Sequence, residues 1–262
     1  MKFQEIVEVV SQEKIATGIY SMWLKSDNMA KEAAPGQFLS IYCNDGSRIL
    51  PRPISICEIN KEEGTLRIVY RVVGKGTDEF KSLTTADKVK VVGPLGNGFM
   101  LHEKTALLIA GGIGIPPMLE TAKALNKMGV KVYSAIGYRN NELFLKDELS
   151  KYSEVIVATE DGSVGTKGNV IDAIKANNVK ANNVKADIIY SCGPTPMLRA
   201  VKEYAIANDI ICEISLEERM ACGIGACLAC VCQSKDIDSH SQVHNKRVCK
   251  DGPVFYCQEV TL

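Results

Sequence analysis

Neither sign of charge is in excess in this 262-residue chain, where 31 Lys and Arg balance 31 Asp and Glu. A partner recognised by net charge alone, such as nucleic acid or an anionic membrane surface, is therefore not expected. No apolar run approaches the roughly 18 residues that a membrane span needs. The N-terminal "MKFQEIVEVV" places Glu5 and Glu8 where a signal peptide would need its apolar centre. A cytoplasmic protein is the expectation. Disulfides are rare in that compartment, so the ten cysteines are read as ligands and buried thiols, not as a disulfide framework.

What is present falls into three rhythms. Residues 1–101 hold short β-like runs broken by turns: "FQEIVEVV", "GIYSMWLKS", "GQFLSIYC", "RPISICEI", "TLRIVYRVV" and "DKVKVVGPLG". Strands at that spacing predict a small antiparallel β-barrel or sandwich. Residues 102–217 alternate strand and helix: "TALLIAGG" with "PPMLETAKALNKM", "KVYSAIGY" with "NELFLKDELSKY", "EVIVATED" with "NVIDAIKAN", "ADIIYSCG" with "PTPMLRAVKEYAIA". That alternation predicts a doubly wound parallel sheet, α/β in class, of strand order 3-2-1-4-5 and closed by "ICEISLEE". Residues 218–262 carry six of the cysteines and few apolar runs, so this small unit is expected to need a metal or cluster. The tandem "KANNVKANNV", 175–184, reads as a tolerated surface insertion.

Within "MACGIGACLACVC", Cys222, Cys227 and Cys230 form C-x4-C-x2-C, and Cys249 follows after eighteen intervening residues. This is the plant-type spacing for a 2Fe-2S cluster, in which four thiolates complete two iron tetrahedra. A zinc site ordinarily wants two short paired spacings, and only Cys227 with Cys230 supplies one. Cys230 and Cys232 point the same way on an extended segment, so spacing alone leaves their exchange open. Cys232, Cys257, Cys43, Cys57 and Cys212 are read as small buried hydrophobes.

A cluster that carries one electron needs a source of electrons, and the first two segments are suited to supply one. "RPIS" offers a guanidinium at Arg52, a rigid Pro53, Ile54 and the Ser55 hydroxyl. "YRVVGKGT" offers the Tyr70 ring, Arg71, and a glycine turn whose amides and Thr77 hydroxyl suit phosphate. "AGGIGIPPM" follows a strand and opens a helix; Gly111, Gly112 and Gly114 allow close approach of a cofactor, and Pro116 suits a first helical turn. It is not a G-x-G-x-x-G fingerprint, and a plain strand-to-helix turn is an equal alternative. "SCGPTPM", with Cys192, Gly193 and Pro194, repeats the device after the fourth strand, so the two loops flank the switch point where ligands bind. Cys192 is expected beside the nicotinamide as a small polarisable wall, with a buried structural thiol as the competing account.

Taken in order, "RPIS", "GKGT", "GPLGNGF", "GGIGIPP", "CGPTPM" and a cysteine set ending "RVCKDGPVF" resemble the ferredoxin-NADP reductase superfamily. Within it the chain is similar to the iron-sulfur electron-transfer subunits of NAD-linked (B-type) dihydroorotate dehydrogenases, most specifically in "RMACGIGAC" and "CKDGPVF". The resemblance covers nearly the whole chain. It implies FAD on Arg52–Ser55, on Val69, Tyr70 and Arg71, and on Gly76 with Thr77. It implies NAD(H) as substrate, and a cluster on Cys222, Cys227, Cys230 and Cys249. Superfamily members more often have an aromatic where this chain has Ile54, so Tyr70 is the candidate to stack on the flavin instead. Glu160 and Asp161 lie where members that use NADPH tend to offer a hydroxyl and an arginine, which favours NADH; both carboxylates read equally well as solvated loop charges.

A barrel able to oxidise a pyrimidine takes about 250 residues by itself, and no acid-base pair for that chemistry stands out. The resemblance therefore implies a separate FMN-containing catalytic subunit, two of each chain by the usual preference for two-fold symmetry. The rival readings are a subunit of a ferredoxin- or sulfide-linked NAD(P)H oxidoreductase, and a non-catalytic iron-sulfur sensor or scaffold.

Overall fold

The structure is a computed structural model that describes residues 1–177, 186–238 and 242–262. The first segment forms β1 (Phe3–Ala16), β2 (Ile19–Lys25), helix α1 (Asp27–Glu32), β3 (Phe38–Ile41), β4 (Arg52–Asn60), β5 (Thr65–Arg71), helix α2 (Lys75–Phe80) and β6 (Lys88–Leu95). All six predicted strands are present. They close an antiparallel barrel in the order β1-β2-β5-β4-β3-β6, with β6 pairing back onto β1. Period-two alternation decides what fills it. Along β5, Leu66, Ile68 and Tyr70 point into the barrel core, while Val69 packs outward against the next segment.

The second segment runs β7 (Ala106–Gly111), α3 (Pro116–Lys127), β8 (Val132–Tyr138), α4 (Lys146–Leu149), β9 (Glu154–Thr159), β10 (Thr166–Lys167), α5 (Val170–Ala176), β11 (Ile188–Cys192), α6 (Thr195–Ala207) and β12 (Ile211–Ser215). Its long strands stand in the order β9-β8-β7-β11-β12, all parallel, which is the predicted 3-2-1-4-5. The helix expected over "NELFLKDELSKY" shrinks to the single turn α4. Leu145 before it adopts a left-handed φ of 63°, so no helix passes through it, and Phe144 turns inward edge-on to Tyr138. Most of "KANNVKANNV" lies outside the described residues.

The last segment adds β13 (Val231–Gln233), β14 (Asn245–Arg247) and β15 (Val254–Tyr256). β12 does not close the large sheet as expected. β15 returns from the C-terminal segment and pairs antiparallel with it, Ile214 opposite Phe255. This covers an edge that "ICEISLEE" would otherwise leave open. Cys230, Val248, Cys249, Phe255 and Cys257 then share one core with Ile189, Val201 and Ile214 of the sheet and α6, and with Phe38 and Leu95 of the barrel.

The barrel and sheet are joined by buried polar contacts. Glu120 on α3 accepts a hydrogen bond from the Ile59 amide on β4 at 2.8 Å, and Lys123 reaches Glu58 at 2.8 Å. Glu213 on β12 accepts from the Met100 amide at 2.9 Å, pinning the connection between the two segments. Among the described residues no helix is long and apolar enough to cross a membrane.

Candidate functional site

The four cysteines of the plant-type set come together as two pairs. The Sγ atoms of Cys222 and Cys227 lie 3.3 Å apart, and the Cys249 amide donates to Cys230 Sγ at 3.4 Å. Burial works against a charge on Cys222, but the Cys227 and Ile224 amides, the Cys227 thiol and the Ala226 amide outweigh it and lower the thiol to about 6. Burial and the adjoining Cys230 thiol push Cys249 up to about 12, against the pull of the Gly225 amide. Backbone N–H groups thus already surround the sulfurs, as a tuned cluster requires. Among the described residues no three His, Cys, Asp or Glu side chains converge on a point fit for a single metal ion. Two thiol pairs suit two irons better than one zinc. Cys232 is half-buried, with burial raising its thiol to about 11, and the ladder pairs it with Lys246. The amide contact from Cys249 thus distinguishes Cys230 from Cys232, which spacing could not. Cys57, Cys212 and Cys257 are fully buried, whereas Cys43 is half-buried.

The loop that carries the first three cysteines is wedged against the barrel. A side chain on Gly223, whose φ is +68°, would stand 2.8 Å from Ser40 Oγ on β3. The two glycine motifs "GPLGNGF" and "CKDGPVF" also meet. The Asn97 amide donates to Gly252 carbonyl oxygen at 2.6 Å, and a Cβ on Gly96 would lie 2.4 Å from Pro253 Cδ.

On the barrel, Arg52 and Gly76 are in contact, since a Cβ on Gly76 would fall 2.0 Å from Arg52 Nε. Arg71 reaches across to the sheet, with Nη2 3.4 Å from where a Cβ on Gly112 would stand. The first-turn amides of α2 at Lys75 and Gly76 have no intrahelical partner, as at any helix start. Ile54, Pro53 and Ser55 are half-buried on β4. Two residues expected at this site are engaged by the protein itself. Tyr70 is 1% exposed, inside the barrel, where its ring stacks on Tyr20 and its hydroxyl donates to Gln12 at 2.8 Å. Buried in the barrel core, the ring presents no open face in this structure for a flavin to stack on. The Thr77 hydroxyl accepts from the Val73 and Gly74 amides and donates to the Gly74 carbonyl, so in this structure its hydrogen bonds close the turn.

At the switch point the loops after β7 and β11 pack on each other. A Cβ on Gly114 would collide with the Cys192 carbonyl oxygen at 2.3 Å, and Met197 lies against both Gly111 and Gly193. Three of the glycines are therefore needed by the protein's own packing. Gly112, at φ +54°, is the one that opens toward Arg71. Pro116 is buried in the first turn of α3, and Pro194 is exposed at the N-cap of α6. Cys192 ends β11, half-buried; burial raises its thiol to about 12 against a hydrogen bond with Ser215, so it is neutral at physiological pH. Glu160 and Asp161 are exposed just past β9, and the Asp161 amide donates to the carbonyl of exposed Arg139, a cation that sequence reading overlooked. Ser40 was missed too, though a serine alternating with Leu39 and Ile41 is the kind of signal that marks a polar outward position.

Comparison with known proteins agrees with this geometry. Residues 217–261 match the model of the iron-sulfur cluster binding domain of dihydroorotate dehydrogenase B, and residues 108–203 match the oxidoreductase NAD-binding domain. The chain is 44% identical over 272 residues to the dihydroorotate dehydrogenase B (NAD(+)) electron transfer subunit of Fusobacterium nucleatum, covering 100% of both chains. It is 42% identical to that of Geobacillus kaustophilus, covering 99% of each. Among solved structures, an NADH-dependent reduced ferredoxin-NADP oxidoreductase superposes with a TM-score of 0.86 at 31% identity, over 98% of this chain and 90% of that one. A ferredoxin-NADP+ reductase from Neisseria gonorrhoeae shares the fold at 16% identity, with a TM-score of 0.66 over 78% of this chain and 91% of its own. With relatives of this identity matched from end to end, the chain belongs to the family of electron transfer subunits of NAD(+)-linked dihydroorotate dehydrogenase B.

Proposed function

We propose that this chain carries electrons between NAD(H) and a separate catalytic subunit that oxidises dihydroorotate to orotate in pyrimidine biosynthesis. The observation that carries the reading is the two-plus-two arrangement of Cys222 with Cys227 and Cys230 with Cys249, in one chain with a reductase barrel and sheet. Bound FAD supplies the exchange between two-electron nicotinamide chemistry and the one-electron chemistry of a 2Fe-2S cluster. The protein's own task is to hold and order the carriers.

Arg52 and Arg71, with the amides at Lys75 and Gly76, are suited to a dinucleotide pyrophosphate because guanidinium pairs and free helix-start amides both favour that anion. Thr77 fixes the turn that presents those amides. Ile54 and Ser55, half-buried on β4, would border the flavin ring, and Val69 would support that wall by packing against the sheet. Gly111, Gly112, Gly114 and Pro116, together with Gly193 and Pro194, shape the nicotinamide pocket. Cys192, a neutral thiol, serves there as a compact wall and not as a nucleophile. The partner carries FMN, two copies of each chain assemble, and the complex works in the cytoplasm.

Glu160 and Asp161 favour NADH, since a 2′-phosphate would meet two carboxylates while a ribose hydroxyl can donate to either. Wild-type protein should therefore show a much larger kcat/KM with NADH. Replacing both by Gln and Asn should raise NADPH use, with Arg139 then free to meet the phosphate. Comparable kcat/KM for the two cofactors in the wild type would remove this assignment.

The function as a whole is tested by purifying the chain alone and together with a flavin-containing barrel subunit. Flavin and 2Fe-2S absorption, with NAD reduction by dihydroorotate only in the complex, is the expected result. Ferredoxin-dependent turnover without the barrel subunit would favour the ferredoxin-linked alternative, and cluster bands without flavin would favour a sensor or scaffold.

A further inference from the structure

Ser40 lies on β3, between β4 and β6 in the barrel. Leu39 and Ile41 enter the barrel core, whereas Phe38, on the other face, joins the core that contains Cys230 and Cys249. Ser40 shares the face of Phe38 by strand parity. Its surface is 1% exposed, and its hydroxyl has no hydrogen-bond partner in the protein. Buried hydroxyls are nearly always satisfied, so this one is open to a partner that the polypeptide itself does not provide.

Its surroundings are defined. Oγ stands 2.8 Å from where a side chain on Gly223 would begin, and Gly223 directly follows Cys222. Its cross-strand partner is Pro53 of the Arg52–Ser55 run. The hydroxyl therefore sits where the flavin-binding strand and the first ligand loop meet. The donors already aimed at Cys222 are backbone amides of its own loop, at Cys227, Ile224 and Ala226. Ser40 approaches from a different element.

We propose that the Ser40 hydroxyl donates a hydrogen bond to a sulfur on the Cys222 side of the 2Fe-2S cluster and thereby raises its reduction potential; this rests on the cluster assignment above. Reduction adds one negative charge to the cluster, and a fixed O–H dipole pointed at it favours the reduced form. Ser40 is a positioning and tuning residue, outside the ligand set. Its proximity to Pro53 places the tuning on the side of the cluster that faces the FAD site proposed above.

The test uses the full chain with its cofactors, as wild type, Ser40→Ala and Ser40→Thr. Iron and sulfide per chain are measured first, and the flavin and cluster midpoints are then titrated separately by visible absorption and EPR. Ser40→Ala should keep its cluster, and the equilibrium constant for cluster reduction should fall about tenfold, or about 59 mV for one electron. The flavin midpoint should not move, and Ser40→Thr should behave as wild type. In deuterated buffer, pulsed EPR of the reduced wild type should show an exchangeable deuteron coupling that Ser40→Ala lacks. An unmoved cluster midpoint in a fully loaded Ala variant overturns the proposal, as does a shift in the flavin midpoint instead. If Ser40→Ala cannot hold a cluster, Ser40→Thr decides: a full cluster with wild-type midpoint and deuteron coupling supports the hydroxyl's role, and loss of the cluster reduces Ser40 to packing. A wild type without iron would instead defeat the cluster assignment itself.

Discussion

The barrel core is made wholly of its own segment, from Val7 and Val9 through Ile68 and Tyr70 to Val91, with Met29 and Phe80 as plugs from the two short helices. The buried apolar residues of the cysteine-rich segment have no such core. Cys230, Val248, Cys249, Phe255 and Cys257 sit in one shared with the sheet and the barrel, and Val254 joins the core of the neighbouring sheet layer. One region can be organised by apolar burial alone, while the other depends on what it leans against and what its thiols bind. The contrast predicts that lesions in the two regions have separable consequences.

The sharpest separation should come from the ligands. Replacing Cys222, Cys227, Cys230 or Cys249 by Ala should abolish most of the cluster and leave FAD bound, because the thiol pairs are distant from Arg52 and Gly76 in the chain and belong to different elements. Cys232→Ala and Cys257→Ala should keep the cluster, since each removes one buried thiol and leaves a small cavity. Iron and sulfide per flavin across the six variants checks this. The comparison breaks if Cys232→Ala loses the cluster while Cys230→Ala keeps it, or if ligand variants lose FAD as well.

The mirror-image lesion is Gly76→Ala. Its new methyl would lie 2.0 Å from Arg52 Nε, so the guanidinium must move. Charge-assisted hydrogen bonds are worth about 1.5–3 kcal/mol each, so a displaced Arg52 should weaken FAD binding by roughly ten- to a hundredfold. Iron content should stay at the wild-type level. Titration of flavin into the apoprotein, beside an iron assay on the same sample, reads both halves. Equal loss of FAD and iron would mean that the two regions do not fold independently.

These separations explain which parts of the molecule were legible in the sequence. Local rhythm is a property of short windows, so the six barrel strands and the five long parallel strands were readable from alternation and length. Cysteine spacing is equally local, and it picked out four cysteines that the structure arranges in two pairs. Features made by long-range pairing were not readable. β15 reaches β12 across nearly forty residues of sequence, and no pattern in "GPVFY" says which edge it will choose. Strand parity cost the reading of Tyr70: an aromatic beside Arg71 looks available until the register shows that neighbours on a strand face opposite ways. The short α4 failed for the opposite reason. Its composition favours a helix, but burial of Phe144 and Leu145 imposed a left-handed residue that propensity does not anticipate.

The smallest expected effect lies at the joint between the regions and concerns protons. Burial raises Glu120 to about 7, against the Ile59 amide and Lys123, with Glu58 adding to the rise and Lys61 opposing it. An unfolded glutamate titrates near about 4.3. Between those values the folded chain holds the Glu120 proton and the unfolded chain does not, so stability falls as pH rises through this window. Below about 4.3 both states are protonated, and above about 7 both are ionised, so the contribution is flat on either side. The slope from one such group is on the order of 1 kcal/mol per pH unit, or ~2–4 °C in Tm for a chain of this size. Glu120→Gln keeps an acceptor for the Ile59 amide and removes the proton, so it should flatten part of the decline between pH 5 and 7. Glu213, also raised to about 7 by burial against the Met100 amide, should account for another part. Trp23, the single tryptophan, lies on the barrel beside Arg67 and provides the fluorescence signal for thermal unfolding. If Glu120→Gln leaves the pH dependence of Tm unchanged, the α3 joint does not carry a buried proton. If it changes FAD or iron content as well, the joint is part of the carrier sites and the division between the two regions is less clean than their cores imply.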